Sequence, residues 1–142
     1  MITVKDALER VLESIAPVGL ERLDILSAQG KILGEDIYST QNIPPKDNSA
    51  MDGYALRAAD TKGALREKPV VLQVIEDIPA GKAAQKKVGP GQASRIMTGA
   101  FVPEGADSIL RVEDTEPAGD RVRIFVEVEK GLDVRFSGED VR

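Results

Sequence analysis

The sequence predicts an α+β chain in which a helical and extended amino-terminal segment precedes a small β-rich domain, built as a barrel or a sandwich. Three observations carry this. Apolar residues recur at helical spacing over residues 3–16, at Val4, Ala7, Leu8, Val11, Leu12 and Ile15. From residue 54 onward, short aliphatic and β-branched runs are bounded by Gly, Pro or Asp. Between the two regimes lies a cluster of turn formers, Asn42, Pro44, Pro45, Asp47, Asn48 and Ser49, which marks a hinge between subdomains. A chain of 142 residues, 42% hydrophobic, can bury one moderate core or two small ones. Aromatics are only 4% and Trp is absent, so that core must come from Val, Ile, Leu and Ala.

In chain order, the helix comes first. Lys5, Asp6, Glu9, Arg10 and Glu13 occupy the face opposite the apolar stripe. Thr3 stands at the N-cap with Asp6 three residues on, a capping box with Asp in place of Glu, and Pro17 and Gly19 stop the helix. The stripe needs a partner; packing into a core supplies one, and so does a symmetric contact with a second copy. Leu23 and Ile25 alternate with Arg22 and Asp24, predicting a short strand or an extended entry over 21–25. Ser27 then caps a brief helix over 28–33, ended by Gly34, and 35–38 is extended into the hinge. Beyond the hinge, strands are predicted at 54–57, 70–75, 93–97, 108–112 and 122–128, with 117–120 as a hairpin loop. The last stretch, GLDVRFSGEDVR, has no apolar strand or helix to anchor it and reads as an interrupted connection.

Composition narrows the chemistry. With 19 basic and 24 acidic residues the net charge is -5, which argues against a general nucleic-acid surface. Cys and His are both absent. That removes disulfides, thiolates, the commonest general base and the usual zinc ligand, leaving acid–base work to Asp, Glu, Lys or Tyr. No apolar signal core follows Met1 and no stretch approaches the length of a membrane span, so a cytoplasmic chain without a membrane partner is expected.

Three loops concentrate small or reactive residues: DNSAMDGYA at 47–55, MTGAFVPEG at 97–105 and RFSGED at 135–140. Taken singly, each is explained by turn chemistry. In Asp52-Gly53 the glycine accepts positive φ and the aspartate bonds nearby backbone, and Asp140 admits the same account. Thr98 follows a strand end, where its hydroxyl and neighbouring N–H groups can meet an anion. Arg95 and Arg135 can add charge, although lone arginines usually sit on solvated faces.

The order of the three is more specific than any one. P-x-x-D-N-S-A-M-D-G-Y-A over 44–55, R-I-M-T-G-A-x-V-P-E-G-A-D over 95–107 and R-x-x-G-E-D over 135–140 resembles the amino-terminal region of the molybdopterin molybdenumtransferases, the MoeA family, which is similar to the gephyrin E domain. The resemblance runs essentially from end to end. It implies an elongated, multi-domain homodimer that inserts molybdate into adenylated molybdopterin and releases AMP, with Mg²⁺ as cofactor and molybdopterin adenylyltransferase as the upstream enzyme. It also implies that residues 1–45 and 131–142 belong to an incomplete, discontinuous dimer-forming domain and 46–130 to the small β-rich domain. The family's α/β molybdopterin-binding domain and its carboxy-terminal β domain would follow Arg142. Because the family's cleft forms between the α/β domain of one subunit and the small β domain of its partner, these residues supply one wall and are expected to be inactive alone, leaving oligomerisation or scaffolding as the alternative role.

By the same resemblance, Asp52, Thr98 and Asp140 are the catalytic candidates, Arg135 and Ser49 the cofactor-binding ones, and the metal ligands fall mostly outside these residues. The substrates are anionic, so charge complementarity is required. Arg135 suits phosphate or molybdate oxygens, Asp52 and Asp140 a metal-bound water or a proton, and Thr98 an oxyanion. Met51 and Tyr54 read as packing residues, and Glu139 is open between structural and functional roles. Phe136 and Ser137 stand where the family often has arginines, which leaves Arg135 carrying the positive charge.

Overall fold

The computed structural model describes residues 2–16 and 18–142, and the chain divides into two compact units, Met1–Tyr38 and Ser39–Arg142.

In the first unit, helix α1 spans Val4–Glu13. The capping box forms as expected: Asp6 N–H donates to Thr3 Oγ1 at 3.1 Å and Thr3 N–H to Asp6 Oδ2 at 3.2 Å. The stop expected at Pro17 lies outside the described residues. The helix has already ended at Ser14, whose N–H and hydroxyl both turn back onto the Val11 carbonyl. No helix forms at 28–33, and of the two readings of 21–25 the strand is absent, since there is no neighbouring strand to pair with. Instead a 3₁₀ turn occupies Ile25–Ser27, capped by the Asp24 carboxylate on Leu26 N–H at 2.9 Å, and Gly30 at φ 80° prevents continuation. No described residue of this unit is buried; Val4, Leu8, Val11, Leu12 and Ile15 are each more than half exposed.

The second unit contains eight strands: β1 (Asn48–Ser49), β2 (Gly53–Leu56), β3 (Val70–Ile78), β4 (Gln92–Ile96), β5 (Ser108–Arg111), β6 (Thr115–Ala118), β7 (Arg121–Ile124) and β8 (Val134–Arg135). Six form one sheet in the order β5-β2-β4-β3-β7-β6, and β1 pairs with β8. All pairs are antiparallel except β3 with β4, whose register shifts at a bulge between Val74 and Glu76. β5 and β6 lie on opposite edges of the sheet, yet only Val112–Asp114 connects them. So short a link requires the edges to approach, and the sheet curls into a half-barrel. The sandwich alternative is therefore excluded for this unit.

Five of the predicted strands are present with shifted ends. β6 was expected to be partly loop, but Pro117 and Ala118 pair with Val122 and Arg121, and only Gly119 and Asp120 make the turn. Pro117 is tolerated because β6 is an edge strand, where a missing N–H need not interrupt a ladder. β7 stops at Ile124 rather than 128. The 131–142 stretch is anchored after all. Its ties are mainly backbone bonds rather than apolar packing: β8 pairs with β1, Ile43 bridges Val141, and Gly138 N–H reaches Pro44 O at 3.0 Å. The two ends of this unit thus lie side by side.

Two apolar clusters fill the unit. Tyr54, Leu56, Leu72, Leu110, Val122 and Ile124 belong to one, and Ala55, Ile78, Ile96, Ala100 and Ile109 to the other. Successive residues of β2 point into different clusters, so this strand is buried on both faces and its GYAL sequence shows no polar alternation. A strand gripped on both sides and on both edges is a rigid base for Asp52, the residue immediately before it.

Candidate functional site

The three motif loops, far apart in sequence, adjoin in space. Residues 47–50 run between the other two. On one side Ser49 N–H donates to Ala100 O at 3.0 Å, Gly99 N–H to Ser49 O at 2.9 Å and Val102 N–H to Asp47 O at 3.0 Å. On the other, β1 pairs Asn48 with Arg135 and Ser49 with Val134, and Ser137 N–H donates to Asp47 Oδ1 at 2.8 Å. The first motif is therefore held by the second and third, which explains why the ordered set is informative where each loop alone is not.

At the tip of the first motif, Asp52 Oδ1 accepts two hydrogen bonds from Thr98, one from the backbone N–H and one from the hydroxyl, both at 2.7 Å. Among the described residues Oδ2 accepts none. Both bonds favour the carboxylate form, the backbone bond most, followed by the hydroxyl bond; slight burial opposes them and the Arg95 charge assists. Asp52 is accordingly held below the ordinary carboxylate pKa. Thr98 is placed by β4, whose last residue is Ile96, and by Met97 N–H on Ile78 O at 3.1 Å. The Thr98 hydroxyl, expected to face an external oxyanion, donates instead to Asp52, so the oxyanion it meets is Asp52 itself.

An open cavity of about 570 Å³ is lined by Met51, Asp52, Thr98, Arg111, Glu113 and Asp114. Arg111, Glu113 and Asp114 lie outside the three motifs, and nothing in their local sequence marks them. They arrive through the β2–β5 pairing, which sets Arg111 opposite Gly53, and through the 3₁₀ turn that follows. The glycine of Asp52-Gly53 is also explained differently from the turn reading. Gly53 is a strand residue without positive φ, and an added Cβ would lie 2.1 Å from Leu110 O. It is glycine because the β5 backbone passes too close for a side chain.

Arg135 and Asp140 form a second group. Arg135 Nη2 donates to Asp140 Oδ2 at 2.9 Å, with Glu139 Oε1 3.8 Å from Arg135 Nε. Glu139 also accepts from Phe136 N–H at 2.9 Å. All three side chains are about half exposed, and none lines the Asp52 cavity. Ser49 is buried, its hydroxyl donating to Met51 O and accepting from Met51 N–H. Its hydroxyl is committed to the shape of the loop. The structure thus joins Asp52 to Thr98 and Arg135 to Asp140, with Ser49 in the strand between them, rather than gathering all five.

For Mg²⁺, the described residues contain no converging group of three or more His, Cys, Asp or Glu side chains. Asp52 offers one free carboxylate oxygen, which alone does not make an octahedral oxygen site. No described helix is long and apolar enough to cross a membrane.

Comparison with known proteins identifies the family. Residues 2–142 match the family described as the MoeA N-terminal region, domains I and II. The chain is 50% identical over 117 residues to molybdopterin molybdenumtransferase 2 of Mycobacterium tuberculosis, covering 82% of this chain and 29% of that protein. It is 37% identical over 145 residues to the molybdopterin molybdenumtransferase of Bacillus subtilis, covering 99% of this chain and 34% of that one. A crystal structure of the molybdopterin biosynthesis MoeA protein from Pyrococcus horikoshii superposes with a TM-score of 0.85 at 37% identity, over 97% of this chain and 37% of that chain. The chain spans about a third of the length of these curated relatives.

Proposed function

The chain belongs to the MoeA N-terminal family, and from that membership we propose that it forms one wall of a molybdenum-insertion site, acting in molybdenum cofactor biosynthesis as part of a molybdopterin molybdenumtransferase. The substrates are adenylated molybdopterin, supplied by molybdopterin adenylyltransferase, and molybdate; the products are the loaded cofactor and AMP. The observation that carries the reading is the Asp52–Thr98 pair lining the cavity, with one carboxylate oxygen engaged and the other unbonded among the described residues. Thr98 keeps Asp52 ionised and fixes its orientation, so Oδ2 is presented as an acceptor or as one ligand of a Mg²⁺ whose other ligands come from the rest of the family's fold. Arg135, oriented by Asp140 and Glu139, offers its remaining donors to phosphate or molybdate oxygens. Ser49 contributes through the loop it folds.

The test is Asp52→Asn in the complete enzyme, which preserves shape and removes charge. A fall in kcat of roughly a hundredfold or more is expected for loss of a group acting in the chemical step. Unchanged turnover would refute the role. The 142-residue chain alone, given both substrates, is expected to form no cofactor at a rate comparable to the complete enzyme.

A second reading, an assembly module, is favoured by one observation. The large apolar residues of the α1 stripe are all exposed, and no described residue of the first unit is buried. A second copy of the chain would cover it, in the homodimer expected of the family and in cytoplasmic, soluble surroundings. Sedimentation of the isolated chain should therefore show a dimer at micromolar concentration, converted to monomer by Leu8→Glu. A wild-type monomer at high concentration would remove the support for this assembly.

A further inference from the structure

Asp133 is in none of the three motifs, yet three contacts converge on it. Among the described residues it is the one non-glycine with a left-handed backbone, at φ 52°, a conformation that Asp and Asn adopt more readily than other side chains. Its carbonyl accepts Ala50 N–H at 2.9 Å. Its carboxylate is mostly buried and accepts Arg111 Nε at 2.8 Å and Nη2 at 3.5 Å. Arg111 in turn sits opposite Gly53, and the next residue, Val112, donates its N–H to Asp52 O at 3.2 Å. The tip Ala50–Gly53 is thus gripped at both ends by one residue, by its backbone at Ala50 and through Arg111 at Gly53. Asp52 lies between the two grips.

We infer that Asp133 is a positioning residue of the Asp52–Thr98 site: clamped onto Arg111, it holds the 50–53 tip where Asp52 can meet both donors of Thr98. The ion pair also has an electrostatic consequence. Asp133 raises the Arg111 pKa, chiefly by its hydrogen bond and then by its charge, and occupies the guanidinium edge that would otherwise be available to Asp52, Glu113 or Asp114 across the cavity. Without the clamp the Arg111 guanidinium would be released into the cavity that Asp52 also lines. The significance of this role for turnover rests on the reading of Asp52 given above; the geometry does not.

The experiment is NMR on the 142-residue chain, following the Asp52 carboxyl titration and Thr98 amide exchange. Arg111→Met combined with Asp133→Gly removes the pair while glycine keeps the left-handed backbone and the carbonyl that holds Ala50. The Asp52 midpoint should rise toward the ordinary carboxylate value and the Thr98 amide should exchange roughly three- to tenfold faster, a local opening that leaves the remaining sheet amides protected. Asp133→Asn, which keeps a neutral acceptor and tolerates left-handed backbone, should fall between this variant and the wild type. An unchanged Asp52 midpoint and Thr98 exchange would overturn the proposal, and so would a uniform acceleration of all sheet amides, which is what a merely structural pair would produce. If the double variant does not fold, Arg111→Lys, which keeps the charge but not the fork, must move the same two readouts in the same direction, and no movement overturns the proposal. Unchanged turnover in Asp52→Asn would remove the catalytic reading while leaving these shifts intact, so the two failures are distinguishable.

Discussion

Replacing Gly53 by alanine should be the most damaging single-methyl change in the DNSAMDGYA motif, and the reason is steric. The new Cβ would lie 2.1 Å from Leu110 O, 2.8 Å from Leu110 C and 3.2 Å from Arg111 Cα. All three atoms are backbone, so no side chain can rotate away. Restoring van der Waals contact requires β2 and β5 to part by about 1 Å, enough to break the local ladder. Overpacking against a fixed neighbour costs up to about 3 kcal/mol. For a unit of this size that is a fall in Tm of roughly 12–24 °C. Gly63→Ala is the matched control: φ is 75° but no atom lies within 4 Å, so only the left-handed backbone penalty of about 1–2 kcal/mol applies. Thermal denaturation by circular dichroism reads both, and NMR shifts in the first variant should centre on residues 110–112. A Gly53→Ala chain that melts within about 2 °C of the wild type, or above the Gly63→Ala chain, would refute the close-approach account.

Two further predictions concern single polar groups. Thr98→Val keeps the backbone N–H on Asp52 and removes the hydroxyl, so the Asp52 titration should move up toward the ordinary value without reaching it. The sign for stability follows: a carboxylate with a lowered folded pKa stabilises above its unfolded value of about 3.9 and loses that contribution as pH falls through the folded pKa. The acid side of a pH–Tm curve should therefore flatten below about pH 4 in Thr98→Val; an unaltered slope would contradict the assignment. Ser94 is fully buried, and among the described residues its hydroxyl has no hydrogen-bond partner. Ser94→Ala removes an unsatisfied group and should leave Tm unchanged or raised, whereas a loss of more than about 1 kcal/mol in denaturant unfolding would show that the hydroxyl is bonded.

Local chemistry was legible where one segment suffices to determine its own structure. The α1 capping box needs only Thr3 and Asp6 on adjacent turns, and the aliphatic runs at β2, β3, β4, β5 and β7 need only to be too apolar to stay in water. Apart from the 28–33 helix, which the left-handed backbone of Gly30 stops locally, the readings that failed depended on partners far away in the chain. A strand over 21–25 has alternation but no neighbour, while β1 and β8 have two residues each and exist only because they find one another. β6 contains a proline that argues against a strand until its place on the sheet edge is known.

The same division holds at the site. The amino-acid sequence by itself determined that Asp52, Thr98, Arg135 and Asp140 sit in loops beside strand ends, and the order of those loops determined the family, because a motif is a property of neighbours along the chain. Only the tertiary structure decided that Thr98 serves Asp52 rather than facing outward, that Arg135 and Asp140 pair away from that cavity, and that Gly53 is required by β5 rather than by a turn. It also brought in Arg111 and Asp133. Their roles come from strand register and from one left-handed aspartate, and both are set by contacts between residues 22 and 83 positions apart, Arg111 with Asp133 and Ala50 with Asp133.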